Sequence, residues 1–94
     1  MAEQDNAIFV GDKPFMNYVT GIVMQFTTHE QEEVIVKARG KHISRAVDVT
    51  EMAVKRFLAG QIRIRNVSID SNEVRNREGK LVRVSTIEIS LERV

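Results

Sequence analysis

The chain has no cysteine and no tryptophan. The first absence excludes a disulfide framework, thiolate-bound zinc and thiol catalysis. The second is part of a wider shortage, because aromatics make up only 5% of the residues, one Tyr and four Phe. Binding a single strand by base stacking needs exposed aromatic platforms, so a model built on a run of stacked bases is weakened. No apolar run is long enough to cross a bilayer. The opening Met1-Ala2-Glu3-Gln4-Asp5-Asn6 is acidic and polar, the reverse of a signal peptide. A soluble intracellular protein is expected, with no membrane partner.

What remains is a chain of 94 residues, 43% hydrophobic and 29% charged. That is one compact domain over 1–94, with residues 1–6 expected as a disordered tail. A domain this small buries a modest share of its surface, so a subunit interface would add stability. The net charge is only +1, but its distribution is uneven. Lys37, Arg39, Lys41 and Arg45 flank Gly40 with no acid until Asp48. Arg75, Arg77, Lys80 and Arg83 stand against Glu78 alone. Two local basic patches on a nearly neutral protein suit salt-sensitive binding to a polyanion.

Apolar spacing orders the elements. Ala7 to Val10 is a short strand ending at Gly11. Asp12-Lys13-Pro14 reads as a helix start, with Pro14 near the first helical position and Asp12 as the favoured cap. Phe15, Val19, Ile22, Val23 and Phe26 follow at helical spacing. Val34 to Arg39 alternates as a strand and Gly40 breaks it. Ser44 is the expected cap of a second helix, whose stripe is Ile43, Val47, Val54, Phe57 and Leu58, with Gly60 as its stop. The remainder alternates in two arms, Ile62 to Ile69 and Val82 to Leu91, around a polar, basic tip with Gly79 in the turn. The phase slips once in each arm, which predicts a bulge near Asn66 and another near Ser85–Thr86. The order β-α-β-α-β-β gives a two-layer α/β sandwich with a mixed sheet and a protruding C-terminal hairpin. A basic hairpin tip is a good shape for a groove.

The residues Val10-Gly11-Asp12-Lys13-Pro14-Phe15-Met16-Asn17-Tyr18-Val19 resemble the opening motif of the Alba chromatin proteins of archaea. So do Lys37-Ala38-Arg39-Gly40-Lys41, Ile43-Ser44-Arg45-Ala46-Val47-Asp48, Arg56-Phe57-Leu58 and Val84-Ser85-Thr86-Ile87-Glu88-Ile89. The resemblance runs from about Asn6 to Arg93. It implies a fold like the C-terminal domain of translation initiation factor three. It also implies a dimer that coats double-stranded DNA, binds RNA and is chromosome-associated in the cytoplasm. A heterodimer with a paralogue is the alternative pairing. An RNA-binding scaffold subunit of a ribonucleoprotein is the alternative function.

Mapped by the resemblance, Lys13, Arg39, Lys41 and Arg45 are the body contacts to nucleic acid; Asn17, and His42 where a small residue is common in the family, are further candidate contacts beside them. Arg75, Arg77 and Lys80 are the arm contacts, and Phe57 and Leu58 the contact between neighbouring dimers. Read from the helical stripe alone, Phe57 and Leu58 are core. Where many relatives carry a first loop lysine, this chain has Asp12, which repels phosphate and cannot be acetylated. His42 could add a pH-dependent positive charge. His42, Ser44 and Asp48 have no spacing that argues for a triad. His29 beside Glu30, Glu32 and Glu33 reads as a solvated loop rather than a metal site. No enzyme, cofactor or small-molecule substrate is expected.

Overall fold

The computed structural model describes residues 6–94. The expected tail at 1–5 lies outside the described residues. Asn6 itself is tied to the sheet: its side-chain amide donates to the Glu33 carbonyl at 3.1 Å, and its own carbonyl accepts from Ile35 N–H at 3.0 Å.

The elements are β1 (Ala7–Phe9), α1 (Phe15–Thr27), β2 (Glu33–Arg39), a 3₁₀ turn (Gly40–His42), α2 (Ile43–Met52), β3 (Ile62–Arg75) and β4 (Leu81–Arg93). The sheet order is β1-β2-β4-β3; β1 and β2 are parallel and the other pairs antiparallel. This is the mixed sheet expected from the element order. Strand alternation gives it two distinct faces. Val34, Val36 and Ala38 stand opposite Leu91, Ile89 and Ile87, and all are buried beneath the helices. From α1, Val19, Ile22 and Phe26 cover them, fully buried. Gly21 lets α1 approach β1, because a Cβ there would lie 3.3 Å from the Ile8 Cδ1 methyl.

Arg93 closes the far end of the sheet. Its guanidinium lies 5.7 Å from the Phe26 ring centroid and donates to the carbonyls of Phe26 and Gln31. That fixes the last strand to the end of α1.

Four local expectations need correction. Asp12 does not cap α1: Pro14 holds the cap position, and no side chain caps the helix. Ser44 does not cap α2 either, because the 3₁₀ turn already leads the chain into the helix with His42 at the cap position. The hairpin has one register shift, between Ile64 and Asn66, and β4 pairs without interruption through Ser85 and Thr86. The apolar phase of β4 changes there because the helical layer ends. Val82 lies beyond it, opposite Val74, and this pair stiffens the arm rather than filling the core.

The fourth correction is at Leu58. The second helix ends in a π-helical turn, Ala53–Phe57, closed by Leu58 N–H to the Ala53 carbonyl at 2.9 Å. One extra residue in the turn aligns positions five apart. Ala53 and Leu58 therefore share the buried face, and Phe57 turns outward. Leu58 is 5% exposed and cannot form a contact between dimers, whereas Phe57 is 50% exposed.

Candidate nucleic-acid interface

Because β1 and β2 are parallel neighbours, their C-terminal ends lie side by side. The loop after β1 and the turn after β2 are thereby adjacent, and they carry Lys13 and Arg39, Lys41 and His42. The last rung of β2 pairs Arg39 with Thr86, and Thr86 pairs with Asp70. Beyond that rung only β3 and β4 continue, so the hairpin arm leaves the sheet at the same end as the basic loops. From Ser71 to Arg75 the arm extends about 13 Å, at roughly 3.3 Å per residue.

The first loop is held rigidly. The Tyr18 hydroxyl oxygen accepts from Gly11 N–H at 3.0 Å and from Lys13 N–H at 2.9 Å. Arg45 donates to the Lys13 carbonyl at 2.6 Å, with its guanidinium 6.0 Å from the Tyr18 ring centroid. The Lys13 backbone is thus fixed from both sides while its side chain is exposed. Arg45, half-buried, positions the loop as much as it presents charge. This clamp was not expected from the sequence. The signal was the lone tyrosine one helical turn inside a Gly-Asp-Lys-Pro loop. Tyr18→Phe strands two loop N–H groups, and a loss of about 1–3 kcal/mol is expected in denaturant unfolding.

Arg39 and Lys41 are exposed, and Asn17 is exposed on the first turn of α1. His42 Nε2 lies 3.6 Å from Asp12 Oδ1. The acid at the rim is therefore answered by a histidine of the second loop, not by the helix. At the arm tip, Asn76 Oδ1 accepts from Glu78 N–H and Lys80 N–H at 2.9 and 3.0 Å, shaping the turn. Arg75 folds back to donate to the Gly79 carbonyl at 2.6 Å. Arg77 and Lys80 are exposed. Arg83 is spent within the arm, 3.7 Å from Glu73 and 3.2 Å from the Ser71 hydroxyl.

The candidate nucleic-acid contacts therefore lie at one end of the molecule, in two groups: a braced body cluster at the base of the arm, and Arg75, Arg77 and Lys80 near its tip, Arg75 being held by its own turn. Among the described residues, no three acidic or histidine side chains are grouped to hold a metal ion, and no helix is long and apolar enough to cross a membrane.

The Alba family model matches residues 6–71. The DNA/RNA-binding protein Alba of Methanococcus maripaludis is 48% identical over 87 residues, covering 93% of this chain and 97% of the relative. The protein of the same name from Nanoarchaeum equitans is 53% identical over 85 residues, covering 89% and 93%. Among solved structures, Alba from Thermoplasma volcanium superposes with a TM-score of 0.83 at 41% identity, over 94% of this chain and all of that one. ALBA1 from Trypanosoma brucei shares the fold, with a TM-score of 0.72 at 21% identity over 99% of this chain and 73% of that one. With motif, fold and near-full-length identity in agreement, this chain is a member of the Alba family.

Proposed function

We propose that this protein is an architectural nucleic-acid-binding protein that, as a homodimer, coats double-stranded DNA with little sequence preference and also binds RNA. The observation that carries the reading is the grouping of exposed Lys13, Arg39 and Lys41 at the base of the arm, on loops whose backbone is already fixed. A pre-positioned cation loses little conformational freedom when it meets phosphate. Two relatives of near-equal length carry DNA/RNA-binding in their names. Phosphate contacts position a protein without reading bases, which gives weak sequence preference and steep salt dependence. Arg77 and Lys80 on the arm tip extend the contact along the minor groove. Such a protein works on the chromosome, in the cytoplasm, and the whole of 1–94 acts as one binding domain.

The homodimer is supported by an uncovered apolar stripe. Ile64, Val67 and Ile69 of β3 stand opposite Leu91, Ile89 and Ile87, on the face that the helices cover elsewhere. Yet Ile69 is 79% exposed and Val67 50%. A long edge strand with an apolar face is an association surface. Phe57, turned outward beside Lys55 and Arg56, is the contact between neighbouring dimers.

Titration of unrelated duplex DNA and RNA sequences over a range of salt tests the reading. Similar affinities and a steep fall with salt are expected; binding to one sequence alone, or none at low salt, overturns it. Asp12→Lys removes the rim acid and is expected to tighten binding severalfold and steepen the salt slope by about one. An unchanged slope would put Asp12 away from the phosphates.

A further inference from the structure

The open face of the sheet, away from α1 and α2, holds a groove of about 780 Å³ that crosses all four strands. That volume is within the about 300–1,000 Å³ of small-molecule sites. Its lining begins at the basic end, with Arg39 and His42, and continues inward past Phe9, Lys37, Asp70 and Glu88. Phe9 alternates out of the core layer between buried Val10 and half-buried Ile8, and the residue is 62% exposed. Lys37 Nζ lies 5.5 Å from the ring centroid and 3.7 Å from Glu88.

We infer that this groove takes one unpaired nucleotide of a nucleic acid whose duplex part lies on the basic loops, with its base stacked on Phe9. The inference rests on the duplex-binding reading above and extends it to junctions between paired and unpaired strands. Three features select this occupant. The groove is continuous with the duplex face through Arg39 and His42, so a strand leaving the duplex end enters it without crossing the core. Its charge is mixed: Arg39 and Asp70 share the last rung of the sheet at the rim, while Glu88 lies further in, 3.7 Å from Lys37. A carboxylate repels a phosphate chain but accepts from the exocyclic amino group of a base. A phosphate at the rim and a base inside satisfy both. The third feature is the single ring: one exposed aromatic on this face stacks one base, not a run of bases.

The test compares a blunt RNA duplex with the same duplex carrying a short purine extension, whose first unpaired residue is a fluorescent aminopurine. For the wild-type protein the extension is expected to tighten binding about tenfold, the scale of one base stacked on an aromatic ring, and to quench the fluorophore. Phe9→Ala is expected to lose both effects while holding the blunt duplex as wild type does, and Phe9→Tyr to retain them. Equal wild-type affinity for blunt and extended duplexes, or quenching that survives Phe9→Ala, overturns the inference. The wild-type arm needs no variant to fold. A protein that fails to hold even the blunt duplex refutes the duplex reading instead, so the two failures are distinct.

Discussion

Arg39→Ala combined with Lys41→Ala is expected to weaken binding to any duplex by about a hundredfold at moderate salt, with the salt slope falling by about two per subunit. Both side chains are exposed on the turn between β2 and α2, and no ion pair to either is seen among the described residues. Lys37, Arg63, Arg65 and Arg83, by contrast, are engaged with carboxylates of their own chain. The turn is entered through Gly40 in the left-handed region, φ +58°, so its conformation is set by the glycine, not by the two cations. Folding should therefore be nearly unaffected, and thermal unfolding is the control. Equal losses on unrelated sequences are the mark of phosphate contact. Loss on one sequence only would indicate base reading, and unchanged affinity at low salt would remove the body surface from the interface.

Val67→Asp is expected to convert the protein to a monomer and to weaken duplex binding by at least about a hundredfold, because each binding unit keeps half its phosphate contacts. Val67 is 50% exposed in the single chain, so a carboxylate there is solvated in the monomer. In a dimer the same group would be buried without a partner, which is strongly unfavourable. The variant therefore separates folding from association. Sedimentation gives the mass, and titration of a duplex gives the salt slope, expected near half that of the wild type. A wild type that sediments as a monomer, or a variant that stays dimeric, refutes the stripe as the subunit interface.

The reach of sequence reading varied by element. Alternation in Val34 to Arg39 and helical spacing in Phe15 to Phe26 identify their elements directly, because one face of each must be apolar. The slip at Asn66 marks a true bulge, since Ile64 and Val67 both face the layer of Leu91 and Ile89 across it. An identical slip near Ser85–Thr86 marks something else, the end of the covering helices. Periodicity cannot tell these apart, because it reports which residues are apolar and not what lies above them. Phe57 and Leu58 show the same limit: a π-helical turn moves one out and one in, and no spacing rule announces that turn.

The basic residues had a different fate. Their clustering around Gly40 and in the hairpin tip was legible as charge, but their standing was not. Arg75 binds its own turn, Arg45 braces the first loop, and Asp12 pairs with His42 rather than capping a helix. Tyr18 as a clamp and Phe9 as an exposed ring had no charge pattern to reveal them.

The sequence by itself determined the order of elements, the apolar face of each and the presence of two concentrations of positive charge, because all three follow from local spacing. Only the tertiary structure decided that both concentrations lie at one end, since that depends on β1 running parallel to β2 while the arm of β3 and β4 extends past their last rung. Which cations are exposed was decided there too, because a charge is consumed by whichever carbonyl or carboxylate the chain brings within reach, and such partners are distant in sequence.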